Sequence, residues 1–446
     1  MTALDVAQQP TRSESAPGDT EDAGREPTRR EARWTAISLI ALFVGMFLSQ
    51  KIAGRFAYSN IAQVISLVAL LVAFPRAVRP KDVAWVLLAV GGVLVAAFSV
   101  YNTYGYQFQP QHTAFFLATC TYLVVWYRAT QMADLADVAE RAVRKTIVPV
   151  FAYLAAQGVL DVAGGLAWTD LGFDDKSHGA VACVVLAFLC LRLLHSPLKL
   201  PLSGGFVLLS LLTASRLPLL AAPFFALAFM FEYRRQRRLA DTPLKVYLCH
   251  TTLALGVGAV IAILRANWDS FHVFTRIGPE ASASAQSSTE SHLLLISYGL
   301  QVKFENLMNF LFGVTPGGYA GTVYRSDVDI SDLRGGGGIA AIVDGTAPMH
   351  SAHASVFVEF PFPVAILYFA LLLWLLVGLL RRNEITLALL LVGFVAVTTL
   401  YSSHNEIFFF ATLAILMVEA SRPRDVPVGE GAESADGSRA TMRLRT

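Results

Sequence analysis

Apolar stretches of about 20 residues follow one another along this chain with only short polar breaks between them, and nothing else limits its folding so strongly. Inside a bilayer a backbone must satisfy its own N–H and C=O groups, which helices do and isolated strands do not. The alternative, a closed barrel, needs segments of about ten residues in which apolar and polar side chains alternate, and the stretches here do not alternate. The expected fold is therefore all-α, a polytopic transmembrane bundle of about 12 spans. They are placed at 34–50, 58–75, 83–101, 113–128, 145–163, 178–194, 200–214, 217–233, 246–264, 353–380, 384–401 and 405–419. The pair 200–214 and 217–233 can also be read as one broken hairpin, with Pro201 and Pro218 in first turns where a missing amide hydrogen is tolerated. Only 15% of the residues are charged, against roughly 25% in soluble domains.

Charge distribution orients the bundle. Arg76, Arg79 and Lys81, then Arg128, Arg141, Arg144 and Lys145, then Arg192 and Lys199, then the run from Arg234 to Lys245, and finally Arg381 and Arg382 follow the even-numbered spans, while 102–112 holds no lysine or arginine. Cytoplasmic loops collect these residues, so both termini are expected in the cytoplasm of a multi-pass protein of the cell membrane. The domain plan is a disordered cytoplasmic tail at 1–33, spans one to nine at 34–264, a large extracytoplasmic loop at 265–352, spans ten to twelve at 353–419 and a second disordered tail at 420–446. The loop holds a Ser/Ala-rich stretch from Ala281 to Thr289, a helical run from His292 to Leu311 and a Gly-rich piece from Arg334 to Gly338 that reads as a hinge. No removable signal peptide and no internal repeat are expected. Cys120, Cys183, Cys190 and Cys249 sit in apolar stretches and read as small core residues. The net charge of +2 gives no reason to expect a nucleic-acid partner.

Projected on this topology, the polar residues converge at the outer face. Lys176 and His178 open span six, Arg216 opens span eight, His350 and His353 open span ten, and His404 with Asn405 opens span twelve. Ionisable groups at membrane depth are costly unless they line a wet cavity, so the cluster is a candidate site. Each member alone also fits a plainer role as an interfacial residue. Arg216 is either a membrane-edge anchor or a planar fork for phosphate. His350 is either a solvated loop residue or a base for a sugar hydroxyl. Asn405 fits a helix cap. The histidines lack the spacing and acidic partners of a zinc site.

Four pieces of this sequence resemble the O-antigen ligase and O-antigen/exopolysaccharide polymerase superfamily of membrane glycosyltransferases. They are Asp175-Lys176-Ser177-His178, Thr213-Ala214-Ser215-Arg216, Leu311 to Gly318, and His350-Ser351 leading to Val358-Glu359-Phe360-Pro361. The resemblance implies a polyprenyl-diphosphate-linked glycan donor, a glycan or lipid acceptor and membrane lipids as partners, with no cofactor. It implies Arg216 and His350 as catalytic residues, the first on the diphosphate and the second as base or acceptor-positioning group. Lys176, His178, His292, His353 and His404 then bind substrate, with either His292 or Arg276 standing where the family has a second arginine. Pro361 departs from the family pattern, which has Gly there. A transporter or flippase of lipid-linked or small solutes is the competing reading, and a scaffold is the third. The first needs polar groups along a path at mid-membrane, where few are found, and the second leaves the outer cluster unexplained.

Overall fold

The computed structural model describes residues 25–47, 51–52, 56–106, 110–165, 169–173, 175–196, 198–238, 283–333, 336–345, 347–401 and 407–422, with isolated positions at 243, 247 and 251. Apart from a small hairpin, in which Lys51–Ile52 pairs antiparallel with Phe56–Ala57, these residues form helices and their connections. The first eight helices are α1 (Arg29–Gly45), α2 (Tyr58–Ala73), α3 (Pro80–Tyr104), α4 (Pro110–Met132), α5 (Ala136–Ala163), α6 (Lys176–Leu193), α7 (Lys199–Leu212) and α8 (Leu217–Arg238). Then come α9 (Ala283–Glu305), α10 (Leu307–Phe312), α11 (Tyr319–Arg325), α12 (Gly336–Val343) and α13 (Ala352–Glu359). The last three are α14 (Phe362–Arg381), α15 (Ile385–Thr398) and α16 (Ile407–Ser421). Five of them, α3, α5, α6, α8 and α14, are long and apolar enough to cross a membrane by length and composition. The apolar segments Ser59–Ala73, α7, α15 and α16 are shorter.

Helix α6 is the centre of the bundle. Every residue from His178 to Leu193 is buried, as expected of a helix that is apolar on all sides rather than along one stripe. α7, α8 and α15 pack around it, with α5 at its flank. Where α6 ends, Arg192 forms a bidentate pair with Glu384 just before α15, its Nη2 donating to Oε1 over 2.6 Å. Beside it Glu232 of α8, 1% exposed, accepts from Lys199 Nζ at 2.9 Å and from Thr386 Oγ1 at 2.7 Å. This basic end of the bundle thus ties α6, α7, α8 and α15 together through paired charges.

A lobe made of α9 to α13 sits at the other end. Its core holds Tyr106, Leu295, Tyr298, Val302, Tyr319 and Met349. Tyr104, at the end of α3, anchors it: its hydroxyl donates to Glu305 at 2.8 Å and accepts from Asn309 Nδ2 at 2.8 Å. Gly105, in the left-handed region at φ 65°, stops α3 there.

Several expectations change. The tail expected to be disordered through residue 33 is already helical at Arg29. A capping box explains it, with Thr28 accepting from the Glu31 amide and Glu31 from the Thr28 amide. The span expected at 353–380 is two helices, because Pro361 follows α13 and its ring cannot continue an α-helical hydrogen-bond ladder. α5 starts at Ala136, nine residues before the span expected at 145, because its first turns are polar. The hairpin reading of 200–214 and 217–233 gives way to separate helices α7 and α8. The expected span 246–264 lies outside the described residues but for Tyr247 and Thr251, and so do Arg276, His404, Asn405 and Cys249.

Removing one partner of a buried ion pair leaves the other charged and unsolvated. Glu384→Ala is therefore expected to destabilise the protein by on the order of 3 kcal/mol, read as a lowered thermal unfolding midpoint in detergent, with Glu384→Gln intermediate.

Candidate functional site

Three connections bring their side chains together where the lobe meets the bundle. The first is the turn between α7 and α8. Thr213 Oγ1 donates to the Ser210 carbonyl at 2.7 Å and accepts from the Ser215 amide, and Ser215 Oγ in turn accepts from the Leu217 amide. Hydroxyls thus replace the helical partners that the turn removes, and the chain passes through Ala214 at φ 55° on its way to Arg216. The second is the segment before α6. Its Thr169 amide donates to the Leu212 carbonyl, next to that turn, and Asp175 caps α6 by accepting from the Ser177 amide at 3.0 Å. The third is 347–351, where His350 itself is left-handed at φ 55°.

His350 is fixed from both sides. Before it, buried Met349 fits against Gly299 of α9, where a Cβ would stand 2.6 Å from the Met349 methyl. After it, Ser351 caps α13 and the Ala352 amide donates to the Tyr401 carbonyl at 3.1 Å. Gly299 and His292 are two turns apart on α9 and share a face. The contact at Gly299 therefore sets His292 opposite His350, and the two rings stack with centroids 3.9 Å apart and planes 13° from parallel.

Electrostatics follow from this stack. Burial and the neighbouring His292 push the His350 pKa down to about 4, against a smaller opposing pull from Asp175. Burial and then the positive charge of Arg216 lower that of His292. Two stacked imidazoles beside a guanidinium cannot both carry a proton cheaply, so the pair is neutral near pH 7. Ala214 and His350 hold non-glycine torsions that cost about 1 kcal/mol each.

Other expected site residues have different surroundings. His178 packs among aromatic rings: it stacks on Phe173 and meets Phe408 edge-on, and it is 7% exposed. His353 is a tether between helices. Tyr368 of α14 bonds its Nδ1 at 2.8 Å, and Thr398 of α15 and the Val395 carbonyl meet its Nε2 at 3.0 and 3.1 Å. Lys176 stands in the first turn of α6, beside Asp175. Asp175, which the sequence offers as part of the Asp175–His178 piece but not as a site residue, acts electrostatically on His350. The Leu311–Gly318 piece also finds its place, since the Val314 amide donates to the Val358 carbonyl at 3.1 Å. At Gly313, φ 81°, a Cβ would fall 2.5 Å from the Glu359 carbonyl oxygen, so this close approach requires glycine. Glu359 accepts from the amides of Gly317 and Tyr319, which closes the same junction. No group of His, Cys, Asp and Glu arranged to hold a metal ion is present among the described residues.

Among the described residues, the fold and site define a helical protein with five helices long and apolar enough to cross a membrane and an arginine–histidine cluster at one end. No protein-family model matches the chain and no curated protein matches it.

The stack makes a pH-dependent prediction. His350 has its ordinary pKa of 6.5 when unfolded and about 4 when folded. The unfolded chain therefore takes the proton first, and the stability that this group contributes is lost as pH falls from about 6.5 through about 4. Ring nitrogen NMR of selectively labelled protein is expected to show His350 neutral at pH 5.5, and Asp175→Asn is expected to lower its titration further. A His350 signal that titrates near 6.5 contradicts the stacked geometry.

Proposed function

We propose that the chain is a multi-pass enzyme of the cell membrane that transfers or polymerises glycan from a polyprenyl-diphosphate-linked donor onto an acceptor hydroxyl at the outer face. What carries the reading is the stacked His292–His350 pair beside Arg216. It joins an always-charged fork suited to phosphate and a neutral imidazole suited to a proton. The junction of Leu311–Gly318 with α13 supports it further, since it links two of the segments on which the resemblance rests.

In the proposed reaction the acceptor oxygen attacks the anomeric carbon. The bond from that carbon to the diphosphate oxygen breaks with its electron pair going to the diphosphate, while the acceptor proton passes to His350. Arg216 stabilises the charge gathering on the leaving group, the principal electrostatic task of such a transfer. A donor diphosphate beside the stack also raises the His350 pKa, so the imidazole becomes a better proton acceptor when substrate is bound. His292 positions His350 by stacking. In this arrangement the basic end of the bundle faces the cytoplasm, as do both termini, and the lobe stands outside.

Arg216→Lys keeps the charge and loses the fork, so it is expected to lower glycan transfer by at least about tenfold with expression unchanged. His350→Ala is expected to abolish transfer and retain donor binding. His353→Ala should retain most of the turnover per folded molecule and lower the unfolding midpoint instead, because it removes a tether. Normal glycan length in both the Arg216 and the His350 variant overturns the reading.

Orientation is tested separately. A membrane-impermeant thiol reagent is expected to label Ser284→Cys in intact cells, given a background in which the native cysteines are replaced. Labelling only after permeabilisation reverses the arrangement.

A further inference from the structure

At the basic end, away from the histidine cluster, α1 and α5 enclose a cavity of about 210 Å³. Its wall is apolar, with Ile40 from α1 and Val138 and Ala142 from α5, and its rim carries Arg33, Arg141 and Lys145. Arg141 and Lys145 are four residues apart on one face of α5, as are Val138 and Ala142, so cations and apolar groups run side by side. Like charges at this spacing repel. The carboxylates nearby in sequence are engaged elsewhere. Glu31 is bound by Arg25, Glu140 by Arg144 and His195, and Asp137 faces Arg422 at 3.8 Å. Among the described residues, none of Arg33, Arg141 and Lys145 forms a hydrogen bond or ion pair.

We propose that this cavity is a binding site for an anionic phospholipid, whose phosphate meets Arg33, Arg141 and Lys145 while an acyl chain lies along the Ile40–Val138–Ala142 wall. Three convergent cations over an apolar wall match a ligand that joins a phosphate to a hydrocarbon chain, and a basic pocket between helices at a membrane edge recognises such headgroups. The bound phosphate supplies the negative charge that the protein withholds there and clamps α1 to α5. The inference rests on the chain lying in a bilayer and is independent of the transfer reaction.

The test uses the full chain purified in detergent and delipidated, with phosphatidylglycerol, phosphatidylcholine or inorganic phosphate added at equal concentration. Lipid retention is read by native mass spectrometry and stability by the thermal midpoint. Phosphatidylglycerol is expected to be retained over phosphatidylcholine and to raise the midpoint, while inorganic phosphate leaves it unchanged. Arg33→Gln, Arg141→Gln and Lys145→Gln should each weaken retention roughly fivefold. Arg141→Lys, which keeps the charge and the fold, should retain most of it, and so should Arg237→Gln with Arg238→Gln, at the same end but outside the cavity. Equal retention of the two lipids by the wild type, persistence of the preference when Arg33→Gln, Arg141→Gln and Lys145→Gln are combined, an equal loss in the Arg237/Arg238 control, or a midpoint shift by inorganic phosphate equal to that by lipid would each overturn the proposal.

Discussion

Burial of α6 on every side is the constraint on which the rest of the structure depends. A helix with no exposed face cannot end in unpaired charge, and its two ends answer that demand differently. Arg192 is neutralised by Glu384, within a set of paired groups that reaches α7 and α8. At the opposite end Asp175 caps the helix and His178 fills an aromatic slot, which leaves the Asp175 carboxylate at the surface facing His350. The same pillar that organises the core therefore delivers one charged group to the candidate site. The outer helices are exposed on apolar faces, as with Trp85, Leu87 and Phe98 of α3, which suits a hydrocarbon surrounding rather than water.

The site is built from torsions as much as from side chains. Ala214 and His350 both occupy the left-handed region, each in a connection between helices. Structure on either side holds them there: the Thr213 and Ser215 hydroxyls at one turn, and Met349 against Gly299 at the other. Such strain fixes the angle at which a side chain is presented, and the two strained positions are His350 itself and Ala214, two residues before Arg216.

Much of the helical layout was legible in the sequence, because an unbroken apolar stretch leaves the backbone few alternatives. α6 and α8 begin within two residues of their expected starts at 178 and 217. The capping box at Thr28 and Glu31 was equally readable, but it lies in a stretch whose charge and proline content pointed to disorder. Pro361 within an apolar run was a visible break that hydrophobicity alone concealed. The grouping of Arg216 with His350 was an expectation from the projected spans. The facing of His292 and His350 was not, since it depends on how α9 packs, and that is set by the fit of Met349 to Gly299. The contacts of His178 and His353 were hidden for the converse reason: a polar residue near a helix end reads as available, whereas tertiary packing gives both rings protein partners.

The hydrogen bond from the Ala352 amide to the Tyr401 carbonyl has a consequence in time as well as in space. It binds the strained segment around His350 to the connection after α15, so that segment is secured only after α15 has been synthesised and docked. Domains and helical layers assemble as the chain emerges, N-terminal parts first. The α7–α8 turn with Arg216 can form early from local contacts alone. A nascent chain therefore carries the cation well before it carries the imidazole stack.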